Sequence, residues 1–227
     1  MTRKQLDFGL PLAVLLLLTA LIAISGADLR IATLAYRPEG WPIGGVQPWR
    51  FFYLYGYYPA YILGSVALGL FAASFIKPKL AGFRKGSAFM VILLALGPGL
   101  LVNTVFKGHW GRERPHEMTR FGGSKAYQQP WDRGETGSGR SFPSGHAAAA
   151  FYLAMPYFVL RQRKPRVAIW VYSGGMLYSI LMGIARIVQG GHFVSDILWA
   201  WGVVHLTAVT LSYVMGLNSE ESPHARM

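Results

Sequence analysis

His192 and Asp196 stand four residues apart in a chain of 227 residues. On a helix that spacing puts two side chains on one face, about 6 Å apart at Cβ. A carboxylate so placed fixes the imidazole tautomer and stabilises its positive charge. The other ring nitrogen is then free to attack an electrophile such as phosphorus. His146, in Pro143-Ser144-Gly145-His146, is a second imidazole, able to protonate a leaving oxygen. Lys107, Arg114 and Arg186 are cations at the ends of apolar stretches, and arginine forks match the oxygens of phosphate or carboxylate. Ser144 and Gly145 open a further apolar stretch. Backbone N–H groups at a helix start form an anion site. Gly145 lets the backbone approach closely, and the Ser144 hydroxyl can cap the helix or donate to an anion. Two histidines with different tasks, surrounded by cations, suit phosphoryl transfer, which is largely positioning and charge stabilisation.

The elements that position these groups are membrane helices. Apolar residues make up 52% of the chain and charged residues 14%, against roughly 25% charged in soluble domains; mean hydropathy is +0.31. An ordinary cytosolic enzyme and a disordered tail are both excluded by that balance. Cysteine is absent, which removes disulfide scaffolds, thiolate metal sites and cysteine nucleophiles together. A hydrocarbon core about 30 Å thick needs roughly 20 apolar residues in helix. Six stretches are candidates: 10–24, 51–76, 86–106, 145–160, 167–184 and 193–217. The expected fold is an all-α polytopic bundle of six spans in one integral-membrane domain, 1–227, with residues 218–227 as a polar tail. Gly97-Pro98-Gly99 predicts a kink in the third span, and the fourth is short for a full crossing. The first has a basic start and small residues after it, as a signal peptide would; an uncleaved helix is preferred, because an even count fits the connectors.

The net charge of +12 is read through position. Lys77, Lys79, Arg84 and Lys85 fill one short connector, and Arg161, Arg163, Lys164 and Arg166 fill another. With Arg3 and Lys4 they place both termini in the cytoplasm. The segments holding the chemistry then face outward, to the periplasm. Their basic residues, mostly between Lys107 and Arg140, are explained by a phosphate site; no nucleic-acid partner is expected.

Bland readings stand beside these. Lys107, Arg114 and Arg186 taken singly read as snorkelling headgroup anchors, and only their joint spacing favours a ligand role. His192 and Asp196 can form a structural hydrogen bond, and Ser144 a simple cap. His109 and His116 read as interface residues, His205 as a packed core residue, and the aromatic run from Phe51 to Tyr58 as an interface belt that also suits a lipid entrance. Arg112, Arg120, Lys125, Arg133 and Arg140 read as solvated loop charges or as contacts to an anionic headgroup.

The three segments resemble the signature of the type 2 phosphatidic acid phosphatase superfamily, K-x6-R-P, P-S-G-H and S-R-x5-H-x3-D. Here they run Lys107 to Arg114-Pro115, Pro143 to His146, and Ala185-Arg186 through His192 to Asp196. Ala185 departs from the family's serine, which removes a supporting hydroxyl. The resemblance covers about residues 86–216 and implies the following. His192 forms a phosphohistidine intermediate, Asp196 orients it, and His146 is general acid and then base. Lys107, Arg114, Ser144, Gly145 and Arg186 bind the phosphate, and neither metal nor cofactor is needed. The substrate is a membrane lipid phosphate, monoester or diphosphate. Trp110-Gly111-Arg112, Phe121-Gly122-Gly123 and Ser141-Phe142 are most similar to bacterial lipid A 1-phosphatases. Undecaprenyl diphosphate and phosphatidylglycerophosphate phosphatases share the core motifs. Two other classes compete: a transporter, which needs polar residues through the bilayer depth, and a vanadate-dependent haloperoxidase, a typically soluble relative with a similar cradle.

Overall fold

The computed structural model describes residues 2–218; the polar tail expected at 218–227 lies outside them apart from Asn218. Helix α1 (Arg3–Ser25) opens on a capping box. The Thr2 hydroxyl accepts from the Gln5 N–H, and the Gln5 side chain accepts from the Thr2 N–H. It ends at Gly26, whose φ of 63° is accessible to glycine at little cost. That break turns the chain into α2 (Ala27–Ala35), which packs on the last two helices and buries Asp28 in its first turn.

The next span is nearly continuous from α3 (Trp49–Tyr55) into α4 (Tyr58–Ile76). The third starts as α5 (Arg84–Leu94), becomes a π-helix over Ala95–Phe106 and closes with one turn, α6 (Lys107–His109). Pro98 lies inside it, where its missing N–H interrupts the α ladder. The kink expected from Gly97-Pro98-Gly99 therefore takes the form of a wider helix. After α6 the chain crosses a loop, 110–144, in which two short 3₁₀ turns, Pro115–Glu117 and Thr119–Phe121, are the helical pieces.

Helix α7 (Gly145–Tyr152) is followed by α8 (Tyr157–Leu160), α9 (Pro165–Val188) and α10 (Val194–Val214). Helix α7 sits at the centre, against α9, α10 and the π-helix. Its run Ala147-Ala148-Ala149-Ala150 is buried. Small residues let membrane helices approach closely, and packing supplies the attraction that hydrophobicity cannot supply in lipid. Phe89, Leu93, Phe151, Tyr152, Met155, Ala200 and Val204 complete that core. At the end of the bundle away from α10's start, Asp7 of α1 accepts from Arg161 at 2.7 Å and from Tyr213 at 2.8 Å. Large apolar side chains on the outside, such as Leu10, Leu17, Ile62 and Trp170, face outward, as lipid requires.

The chain is all-α: no strand forms among the described residues. It is a multi-pass membrane protein. Five helices are long and apolar enough to cross a bilayer, and the sixth stretch, Gly145–Leu160, is shorter. The positions expected from sequence thus hold, while the six-span count does not follow from length alone. Enlarging the central helix by Ala148→Leu should cost about 1–3 kcal/mol through overpacking. Leu16→Ala, on the exposed face of α1, should stay within about 0.5 kcal/mol. Thermal unfolding of the detergent-purified protein reads both.

Candidate active site

Asp196 lies in the first turn of α10 and is fully buried. Its Oδ2 accepts the Phe193 N–H at 2.8 Å and the Ser141 hydroxyl at 2.5 Å; its Oδ1 accepts Arg112 Nη1 at 2.6 Å. His192 Nδ1 stands 3.5 Å from Oδ2. Helix α10 starts at Val194, so the condition for a shared helix face is not met: His192 occupies the turn before the helix and the pair meets across the helix start. The His192 ring is 1% exposed. Burial pushes its pKa down to about 3; Arg186 and Lys107 push the same way, and Asp196 pulls against them. The ring is therefore neutral near pH 7, with Nδ1 toward the carboxylate. Such a ring keeps a lone pair on Nε2 for an electrophile.

Arg112 is the residue sequence reasoning misplaced. It is neither a solvated loop charge nor a headgroup contact: its side chain is 0% exposed. Besides Asp196 it donates to Asp28 Oδ2 at 2.9 Å, to Ser195 Oγ at 2.7 Å and to the Gln128 carbonyl at 3.0 and 3.1 Å. Asp28 in turn accepts the Ser195 N–H at 2.9 Å and the Tyr127 hydroxyl at 3.1 Å. Burial alone would lower the guanidinium's pKa, but Asp196 and Asp28 outweigh it and raise it further. A cation removed from water is tolerated only when paired and hydrogen-bonded, and here both carboxylates and a carbonyl supply the partners. Nothing in the sequence marked Asp28, which follows an apolar span by a few residues; Arg112 lay among several loop arginines.

The start of α7 is pinned to the same place, since the Ser144 N–H donates to the Asp196 carbonyl at 3.2 Å. The Ser144 hydroxyl accepts the Ala147 N–H at 3.4 Å, so its capping function is present. A Cβ added at Gly145 would meet Asn103 Oδ1 at 2.5 Å and Lys107 Nζ at 3.1 Å. Glycine thus lets the ammonium of Lys107 lie against the start of α7. His146 is held by two rings of the aromatic run: Tyr53 stacks on it at 5.7 Å between centroids, and Tyr57 meets it edge-on at 5.3 Å. The Arg186 guanidinium lies 4.6 Å from the Tyr53 ring. Tyr53, read from sequence as part of an interface belt, is therefore inside the site. The Nε atoms of Arg114 and Arg186 are buried without a protein partner.

Two cavities meet this cluster. One, of about 560 Å³, includes Arg114 and Arg186 in its wall; the other, of about 480 Å³, includes Lys107, Gly145 and His146. Of the eight residues singled out from sequence, Lys107, Arg114, Gly145, His146 and Arg186 line these cavities, and His192 and Ser144 meet at Asp196, all three buried. His109 is exposed and bonds its own helix at Val105, and His205 packs against Phe158, Tyr172 and Trp201. A buried neutral imidazole 3.5 Å from a carboxylate, with cations near it, has the chemistry to take a phosphoryl group.

A helical bundle with such a site at one end defines a membrane phosphatase of the lipid-phosphate type. Residues 88–219 match the PAP2 superfamily, and the chain belongs to it. It is 35% identical over 156 residues to "Lipid A 4'-phosphatase" of Francisella tularensis subsp. novicida, covering 66% of this chain and 68% of that protein. It is 37% identical over 110 residues to the Rhizobium leguminosarum protein of the same name, 48% of this chain and 46% of that one. It is 29% identical over 146 residues to "Phosphatidylglycerophosphatase B" of Bacillus subtilis, 56% and 61% of the two chains. The crystal structure of a transmembrane PAP2 type phosphatidylglycerolphosphate phosphatase from Bacillus subtilis shares the fold, with TM-score 0.57 and 22% identity over 95% of this chain and 98% of that one. The lipid A relatives are named for the 4′ position, where the sequence resemblance pointed to the 1 position.

Two outcomes follow from this geometry. Arg112→Met leaves two buried carboxylates facing each other without their cation, and should cost about 3–5 kcal/mol of stability. Arg120→Met, on an exposed loop residue, should stay within about 0.5 kcal/mol. Because the His192 pKa is lowered to about 3, its ring should remain neutral throughout pH 5–8. Nitrogen-15 NMR of histidine-labelled protein should show no protonation of that ring in this range; a midpoint near 6.5 would contradict the burial argument.

Proposed function

We propose that the chain hydrolyses the phosphate of a membrane glycolipid of the lipid A class, in two steps at one phosphorus atom. Nε2 of His192 attacks phosphorus and the bond to the lipid oxygen breaks, while His146 gives its proton to that oxygen. His146 then takes a proton from water, the water oxygen bonds to phosphorus, and the P–N bond breaks to release inorganic phosphate. Asp196 holds the His192 tautomer and offsets the charge on the ring. Lys107, Arg114 and Arg186, with the N–H groups behind Ser144 and Gly145, bind the phosphoryl oxygens. The reaction needs no metal.

The observation that carries this reading is the convergence of three distant segments around one buried, neutral imidazole. The choice of lipid rests on the relatives' names, which favour the 4′-phosphate over the 1-phosphate expected from sequence. Undecaprenyl diphosphate and phosphatidylglycerophosphate are the runners-up. For a transporter, polar residues would have to continue through the bundle, whereas the interior beside α7 is apolar; the vanadate-dependent oxidant class is disfavoured by the membrane spans. In the proposed topology the six apolar stretches all cross, as one domain, in a bacterial cytoplasmic membrane. Both termini are cytoplasmic and the site faces the periplasm, supported by the basic connectors.

Purified protein in chelator should release phosphate from a panel of lipid A, undecaprenyl diphosphate and phosphatidylglycerophosphate, fastest from lipid A, with mass spectrometry of the product showing loss at the 4′ position. His192→Ala should reduce the rate at least a thousandfold. Turnover surviving that substitution refutes the nucleophile; metal-dependent turnover refutes the mechanism.

A further inference from the structure

Tyr53 and Leu54 of α3 line both cavities. The cavity at His146 and Lys107 continues past Tyr57, Tyr61 and Ala149 along the apolar helices. The other leads away from Arg114 and Arg186 to Arg50, His116 and Trp41. Its wall contains arginines, glutamine, histidine and aromatic residues but no Asp or Glu.

Arg50 is exposed at the beginning of α3, and its guanidinium makes no hydrogen bond or ion pair among the described residues. His116 already gives Nδ1 to the Gly190 carbonyl at 2.9 Å, and its Nε2 is 3.9 Å from Glu117 Oε1. Glu117 is committed elsewhere too, accepting the Arg114 N–H at 2.7 Å. Gln189 is fixed between Arg186 Nη1 and the Gly44 carbonyl. Three guanidinium groups therefore share one chamber, and none of the lining residues is an acid. Like charges in a partly enclosed space repel, and such a field concentrates anions.

We propose that this chamber is a headgroup subsite for a sugar bearing a second anionic group: Arg50 takes that second group while Arg114 and Arg186 hold the phosphoryl that reacts. The inference rests on the assignment of the reacting phosphate to those two arginines and deepens it. An interface anchor at position 50 would be indifferent to the ligand's second charge, whereas a subsite residue reads it.

The probes are a hexose 1,6-bisphosphate and the matching hexose 6-phosphate, titrated calorimetrically into the full-length, detergent-purified chain in the His192→Ala background, where turnover is stopped. The bisphosphate should bind about tenfold more tightly, the increment of one charge-assisted pair. Arg50→Ala, and Arg50→Gln as the variant that keeps size and polarity, should bring the ratio to about one; Arg50→Lys should retain part of it. Equal affinities in the parent, no binding of either sugar, or a ratio unmoved by both neutral substitutions overturns the proposal. Failure of the underlying assignment is distinct: Arg114→Ala would then leave hexose 6-phosphate binding unchanged.

Discussion

A single guanidinium, that of Arg112, sits out of water between two carboxylates that belong to opposite ends of the chain. Asp28 comes from the first helix pair, Asp196 from the last helix. In a low-dielectric interior an unpaired charge costs several kcal/mol, so none of the three is tolerable alone. Together they fix where the start of α10 lies relative to α2 and to the loop after α6. The position of His192 follows, because its ring abuts the Asp196 oxygen that Phe193 and Ser141 also hold. The start of α7 follows as well, through the Ser144 N–H on the Asp196 carbonyl.

This arrangement separates two kinds of charge within one cluster. Arg112 is saturated by protein partners, with donors on carboxylates, a hydroxyl and a carbonyl. Arg114 and Arg186 keep buried Nε atoms without a partner. The first is a fixed part of the scaffold; the others hold donors in reserve. Residues two apart in sequence, Arg112 and Arg114, thus serve opposite purposes.

The candidate site residues were legible in the sequence because their chemistry is carried by spacing within short segments: four residues from His192 to Asp196, and Pro-Ser-Gly-His at a helix start. The spans were legible from apolar length. What was not legible depends on contacts across the chain. Asp28 and Arg112 are 84 residues apart, as are Arg112 and Asp196, and no local pattern distinguishes a buried loop arginine from its solvated neighbours. Tyr53 and Tyr57, which both meet His146, were hidden for the same reason, as rings of one aromatic run. The sixth stretch, read as starting at Phe193, starts as a helix one residue later, at Val194, where Asp196 caps it from inside by accepting the Phe193 N–H.

The third span reaches the site through a π-helix, Ala95–Phe106, not an α-helix. Its ladder is widened at Pro98, whose carbonyl receives the Asn103 side chain at 2.8 Å, five residues on. A π turn takes more residues per revolution than an α turn, so each residue advances through a smaller angle. The compass bearing of Lys107 is consequently set by how many windings below it are wide, and only secondarily by its own rotamer. The span behaves as a threaded spindle whose pitch indexes the ammonium toward the start of α7, which gears membrane depth to the aim of one cation.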